Sequence, residues 1–309
     1  MERKDLELLE ALCKVHAPSG REAALNHFIQ SYVEEQSHQW KQKPEIYTGG
    51  ELQDALILKF GSPRTAVFAH MDSVGFTVRY GGDLVRIGSP KPRSGAPLQG
   101  VNSRGEEVEA RLIGSSKDQL GYESSKDLNP GVSLTYKAHF RTGDEYVQSA
   151  SLDNRVGVFN ALKQAETLEN GLLVFSCQEE MGGGSAAFLA RYIFEHFGVR
   201  QALITDVTWV TEGIFHGNGT VISRRDSGVP RQSYVDKIIE LADKGGHNYQ
   251  IEVEEGGGSD GNVIQKSPYP IDWCFIGPPE DFVHSPDEKV HQADIEATIE
   301  LYRSLLRAL

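Results

Sequence analysis

Cysteine is scarce in this 309-residue sequence: Cys13, Cys177 and Cys274 are all there are. Three scattered thiols build neither a disulfide framework nor a structural zinc knot. No stretch reaches the roughly 18 uninterrupted apolar residues of a membrane-spanning helix. The opening run, Met1-Glu-Arg-Lys-Asp-Leu-Glu, has acids where a signal peptide needs apolar residues. These absences lead to the expectation of a cytoplasmic protein with reduced thiols and no membrane partner. Basic residues are also in deficit, with 31 Lys+Arg against 44 Asp+Glu and a net charge of −13. Affinity for phosphates comes from Lys and Arg, so nucleic acid is excluded as a partner. Internal repeats and low-complexity tracts are missing too, and without a secretory signal the Asn218-Gly-Thr sequon carries no meaning.

What is present describes a folded chain, with 39% hydrophobic and 24% charged residues. Its length exceeds the roughly 250 residues that one core usually serves, which predicts a large domain and a smaller one. Residues 5 to 16 read as a helix, and Ser19-Gly-Arg-Glu22 reads as a capping box that starts a second one. Leu56–Phe60 and Thr65–Ala69 read as strands. From about 74 to 148 short β-type runs alternate with Gly/Pro/Ser-rich breaks, which predicts a small all-β insertion. Afterwards strands (171–177, 201–205, 249–253, 271–276) alternate with helices (154–167, 184–196, 231–243, 290–308). The fold class expected is therefore α/β: a mostly parallel mixed sheet sandwiched by helices, with the all-β piece inserted. Residues 1–73 and 149–309 would form the main domain and 74–148 the insertion.

Polar residues fall at the ends of these strands. His70 and Asp72 follow the strand 65–69, Glu179 and Glu180 follow 171–177, Asp206 follows 201–205, and His284 lies in the loop after 271–276. Sites in open α/β sheets form beyond the carboxyl ends of the strands, so four strands deliver His or acid groups to one edge. Asp153 opens the helix after the insertion. Two His with several carboxylates form an N/O donor set suited to Zn²⁺, Co²⁺ or Mn²⁺. Asp72 is placed to orient His70, and of Glu179 and Glu180 one can ligate while the other acts as general base. His291 is a weaker candidate ligand, and Asp260 reads as a turn aspartate rather than a pocket residue.

The strings Ala69-His-Met-Asp-Ser-Val-Gly75, Ser151-Leu-Asp-Asn-Arg-Val-Gly157, Gln178-Glu-Glu-Met-Gly182, Ile204-Thr-Asp-Val-Thr208 and Val283-His-Ser-Pro286 occur in an order and spacing that resemble one family. It is the glutamyl-aminopeptidase and tetrahedral-aminopeptidase family of dinuclear metallopeptidases, some of whose members are labelled endoglucanases. Ala17-Pro-Ser-Gly20 and Gly257-Gly-Ser-Asp-Gly261 agree with it as well. The resemblance implies two divalent ions per subunit, Zn or Co and in some cases Mn. His70, Asp153, Glu180, Asp206 and His284 would be the ligands, with Asp153 bridging. Glu179 would be the general base on a metal-bridging water, and Asp72 would orient His70. The implied activity is removal of the N-terminal residue from peptides. The insertion would be a dimerisation domain, and dimers would build a homo-oligomer such as a dodecamer.

The sequence departs from the family's usual pattern in four places, one of them the glycine-richer run Met181-Gly-Gly-Gly-Ser185. Asn154 stands where a second Asp is common, Ser73 where Glu is usual, and Asp281-Phe282 where an Arg-Tyr pair precedes the last His. Two alternatives stand beside the peptidase reading. One is a catalytically inactive relative kept for assembly or binding. The other is a glycoside hydrolase, which needs two carboxyls facing each other across a sugar. If Glu179 and Glu180 continued their strand, their side chains would point to opposite faces and make no such pair.

Overall fold

The computed structural model describes residues 1–115 and 119–309. Its centre is an eight-stranded sheet. In spatial order the strands are Glu45–Thr48, Leu56–Phe60, Gly171–Ser176, Ala66–His70, Gln201–Ile204, Asp272–Gly277, Thr220–Arg225 and Tyr249–Val253. Gly171–Ser176 and Ala66–His70 are buried at every position. Their unbroken apolar runs (Leu-Leu-Val-Phe and Ala-Val-Phe-Ala) suit strands covered on both faces. The pairings around Ala66–His70 are parallel on both sides. Leu56–Phe60 pairs antiparallel at one side of the sheet, and Thr220–Arg225 pairs antiparallel with Asp272–Gly277 near the other, so the sheet is mixed.

Helices cover both faces. Leu152–Ala165 is buried along its whole length, between the sheet and the helices Arg3–Lys14 and Gln292–Ala308. The closing helix reaches into the core through Ile295, Ile299, Tyr302 and Leu305. The main apolar cluster joins all these elements.

A second apolar cluster, including Phe76, Leu98, Val108, Leu112, Leu134 and Tyr136, lies under a separate six-stranded sheet. Each neighbouring pair in that sheet is antiparallel. Glu107–Ile113 alternates exposed and buried residues along its length, the pattern of a strand with one face on a core. Hydrogen bonding to the neighbouring strands also draws in Pro97–Val101, whose Pro and Gly hid it from periodicity.

A third, five-stranded sheet was not anticipated. It gathers Arg141–Thr142, Tyr146–Ser149, Glu288–His291, Pro279–Asp281 and Thr208–Trp209. These pieces are two to four residues long and far apart in sequence, too short to show a period of their own. The capping box is a further difference. The second helix starts at Ala23 with no side-chain cap. Glu22 is buried and accepts from the backbone N–H groups of Gly20 (2.9 Å) and Gln178 (3.0 Å), while the Ser19 hydroxyl donates to Asp72 Oδ2 at 2.6 Å. Tertiary partners took both side chains that the local pattern assigned to the helix end.

Candidate metal centre

The carboxyl ends of the parallel strands open into a cleft of about 260 Å³. His70, the last residue of its strand, and Asp206, just past Gln201–Ile204, stand side by side there, with His70 Nε2 3.5 Å from Asp206 Oδ2. Asp153 enters from the start of its helix, where Asp153 and Asn154 depart from helical dihedrals and the peptide between them is cis. One Asp153 oxygen, Oδ1, lies 3.2 Å from His70 Nε2, and the other, Oδ2, lies 3.1 Å from His284 Nε2. His284 Nε2 is also 3.1 Å from Glu180 Oε2. His70, Asp153 and Glu180 offer donor atoms that all lie within 4.8 Å of one another.

The strand Gly171–Ser176 does not run on through the acids. Gln178 turns into the left-handed region (φ 60°), and Glu179–Met181 form one short helical turn. Both acids therefore enter the cleft instead of splitting across a sheet. Asp72 holds this turn: it accepts from the backbone N–H of Glu179 (3.0 Å) and of Glu180 (3.2 Å). Its contact with His70 Nδ1 is longer, at 3.4 Å. Ser89 Oγ lies 2.8 Å from His284 Nδ1 and fixes that ring from behind. Ser151, Gln178, Phe282 and His284 all have positive φ without being glycine. Each costs of order 1–3 kcal/mol, and such conformations persist where the surroundings over-determine them.

The electrostatics of the cluster are those of a buried anionic site. Burial, reinforced by Asp206, Asp260 and Glu180, pushes the Glu179 carboxyl well above the ordinary range, although His70 opposes it. Burial and Asp153 push Glu180 up to about 7. Burial also raises Asp206, with Asp153 adding to it. The imidazole values rise as well, here toward the charged form. Burial disfavours their charge, yet Asp206 and Asp153 hold His70 well above its usual value, and Asp153 with Glu180 brings His284 up to about 11. Asp153, against the cost of burial, is held low by hydrogen bonds with the two rings. Glu180 Oε1 is buried with no hydrogen-bond partner. Acids crowded in this way out of water call for cations, and the N/O donor set with two imidazoles fits divalent transition ions.

The seven residues expected from the sequence all converge here: six line the cleft, and Asp72 lies directly beneath it with no exposure. Two lesser expectations did not hold. His291 is not part of the cluster; its Nδ1 accepts from Ala293 N (3.1 Å) and caps the closing helix. Asp260 is not a turn aspartate but the first residue of the helix Asp260–Lys266. It is 2% exposed, hydrogen-bonded by Ser176 Oγ, with Oδ1 unpartnered. Among the departures, Asn154 has a structural reason. Its amide donates to Thr205 O (2.9 Å) and accepts from Gly157 N (2.8 Å), a pairing that a carboxylate cannot make from both ends. Asp281 does not line the cleft; it faces His216 (3.2 Å) and Lys289 (2.9 Å). Three acids that do line it, Asp226, Glu252 and Glu254, carry no motif; from the sequence the Glu254-Glu255 pair reads as solvated charge without a function, and the other two stand out in no way.

A mixed α/β sheet that carries a buried His and carboxylate cluster at its carboxyl edge defines a metal-dependent hydrolase. The profile of the M42 glutamyl aminopeptidase family matches residues 122–301. The chain belongs to that family, and is a metal-dependent aminopeptidase. A curated relative from Acetivibrio thermocellus is 26% identical over 337 aligned positions, which cover 97% of this chain and 98% of the relative. Among solved structures, the aminopeptidase APDkam598 of the archaeon Desulfurococcus kamchatkensis superposes with a TM-score of 0.86 at 19% identity, over 99% of this chain and 95% of that one. The TET1 peptidase of Pyrococcus horikoshii, described as assembling into a tetrahedron or a large octahedral shell, has a TM-score of 0.78 at 23% identity, over 98% and 99%. These structural likenesses establish the fold.

Proposed function

We propose that the chain is a co-catalytic aminopeptidase with two divalent ions per subunit, which removes the N-terminal residue from peptides with Glu179 as general base. The observation that carries this reading is the placement of Asp153. Its Oδ1 faces the His70 and Asp206 side of the cleft and its Oδ2 faces His284 and Glu180. One carboxylate thus stands between two donor groups, each with one imidazole and one further acid. Zn²⁺, Co²⁺ and Mn²⁺ all suit these donors.

When bound, such ions polarise the scissile carbonyl and make water a nucleophile near neutral pH. The protein's own groups do the rest. Asp72 fixes the Glu179-Glu180 turn through the two backbone N–H groups, so that the base and the ligand face the same space. Glu179 takes a proton from the attacking water onto its carboxylate and delivers it to the nitrogen of the departing peptide. The surplus of acids around the cleft favours a substrate with a free, cationic α-amine. A glycosidase finds less support here, because imidazoles stand between the carboxyls that would have to face each other across a sugar.

The six-stranded sheet within 74–148 is proposed as the dimerisation element, with 1–73 and 149–309 as the catalytic body. Dimers would then assemble into a larger shell, up to a dodecamer. Buried, free Cys13, Cys177 and Cys274 suit a reducing cytoplasm.

The test is metal content joined to activity. Gently purified protein is expected to carry about two transition ions per chain, to lose hydrolysis of leucine p-nitroanilide after chelation, and to regain it with Zn²⁺ or Co²⁺. Fewer than one ion per chain with no regain would leave an inactive relative as the reading.

A further inference from the structure

The cleft extends past the metal centre to a wall built by the strand Tyr249–Val253 and the turns beside it. Three carboxyl groups line that end: Asp226, Glu252 and Glu254. Two of them are buried and the third, Glu254, is partly exposed. Glu252 is 4% exposed and Asp226 is 7% exposed. Among the described residues none of the three has a Lys, Arg or His partner within ion-pair distance. The neighbouring cations are occupied: Arg225 Nε donates to the carbonyl oxygens of Asp226 (3.3 Å) and Glu254 (3.1 Å), and Arg224 pairs with Asp236. Asp226 has structural hydrogen bonds from Gly228 N and Asn262 Nδ2. Glu252 Oε1 is bonded by Thr208 Oγ1, and the Ser223 hydroxyl also favours its charged form. A carboxyl more than nine-tenths buried thus lines the cleft with hydroxyl partners but no cationic one among the described residues.

An aromatic surface adjoins these acids. Trp209 lines the same cleft while 44% exposed, and its ring lies against Gly256 and Gly257, 3.6 and 3.7 Å from where their Cβ atoms would be. Buried carboxyls beside an exposed indole face match a long side chain with a cationic head, the head at the acids and the stem or charge on the ring. Burying such acids with no cation is costly, and burial together with Asp226 and Glu254 does raise Glu252. A cation entering the pocket relieves that cost.

We propose that this end of the cleft selects substrates whose N-terminal residue is lysine or arginine, with Glu252, Glu254 and Asp226 taking the side-chain charge and Trp209 the stem. The inference rests on the aminopeptidase reading and names the substrate within it. It also departs from the family's description as glutamyl aminopeptidases: a glutamyl side chain would bring a further carboxylate to three that already lack cations.

The experiment uses the metal-loaded, full-length protein and the p-nitroanilides of lysine, arginine, leucine and glutamate. Lysine and arginine are expected to exceed leucine in kcat/KM by roughly tenfold or more, with glutamate lowest. In Glu252→Gln, and separately in Glu254→Gln, the lysine-to-leucine ratio is expected to fall by about tenfold, the worth of one partly desolvated charge pair. Glu254 is the less buried of the two, so its variant carries the test if Glu252→Gln does not fold. Leucine turnover without preference for lysine or arginine overturns the proposal while the aminopeptidase reading stands. Equal losses on lysine and leucine also overturn it, because the acids would then serve the α-ammonium common to both. If none of the four is cleaved by metal-loaded protein, the aminopeptidase reading fails and this proposal fails with it.

Discussion

Glu179 and its neighbour Glu180 share a turn but are proposed for different work, and substitution separates them. Glu179→Gln removes a proton acceptor and no proposed ligand, so kcat is expected to fall by about 10²–10⁴ with metal content unchanged. Metal analysis alongside kinetics decides it; normal turnover with metal in place removes the base assignment. His70→Ala and Asp153→Asn are expected instead to lower metal content first. Asp72 is the residue whose role the sequence showed only in part. His-x-Asp spacing placed it beside His70, but the bonds it accepts come from Ser19 Oγ, Glu179 N and Glu180 N, the last two 107 and 108 positions away, and no local pattern encodes such a pairing. Asp72→Ala is therefore expected to cost 10- to 100-fold in metal affinity or activity even though it touches no ion. An unaltered metal titration and unaltered kinetics would show that the turn holds without it. Four of the candidate ligands were legible because they end or follow strands whose ends share an edge, and Asp153 because it opens the helix after the insertion. Asp226, Glu252 and Glu254 were not, since acids on a lateral strand and its turns look like ordinary surface charge until the fold closes the cleft over them.

At the scale of elements, the strands named from the sequence fell within a few residues of their observed bounds, but the buried strand Thr220–Arg225, a short run ending in Ser-Arg-Arg, and the edge strand Glu45–Thr48 were missed. The failed capping box marks the limit of local rules: Ser19 and Glu22 had the right spacing, and partners from distant elements took them. Close approach between elements is another property that the sequence hides. Gly277 ends the strand Asp272–Gly277, and a Cβ there would sit 1.5 Å from the carbonyl oxygen of Asp206. Gly277→Ala is expected to displace that backbone, costing about 1–3 kcal/mol and weakening metal binding together with thermal stability; an unchanged Tm would contradict the packing. The joint between the first helix and the six-stranded sheet is expected to respond to acid. His16 lies just past Arg3–Lys14, with Nδ1 3.1 Å from Thr135 Oγ1 and Nε2 buried without a partner. Burial, with help from Arg21 and Arg155, lowers its pKa to about 4. The unfolded chain takes up this proton first, near pH 6.5, so the stabilisation is complete above that value. It is lost as pH falls from about 6.5 to about 4, by roughly 3 kcal/mol at most. His16→Gln should flatten that part of the stability-versus-pH curve in thermal melts. A wild-type Tm that stays level from pH 7 to 5, once the variant's own slope is subtracted, removes His16 as the source.

For the whole molecule, the chain is longer than a single core usually serves, and a separate apolar cluster lies under the six-stranded sheet. The five-stranded sheet stayed hidden because it is assembled from fragments of three chain regions, each too short to be periodic. The proposed assembly beyond one chain can be tested on this architecture. On the six-stranded sheet and its edge turn, Tyr80, Val85 and Ile113 are 68%, 50% and 49% exposed. Strand residues with half of an apolar side chain in water are what a subunit interface covers. A closed assembly of twelve 34.1-kDa chains would have a mass of about 410 kDa, built from symmetric dimers. Mass photometry of the purified protein should find that species or an even-numbered intermediate. Val85→Glu combined with Ile113→Glu should shift the distribution toward smaller species, because each buried, unpaired carboxylate opposes association. Circular dichroism on the variant keeps the outcome interpretable: a native spectrum with smaller particles places the interface on this sheet. A native spectrum with an unchanged assembly moves the interface elsewhere, and a wild type that stays at 34.1 kDa removes the oligomer altogether.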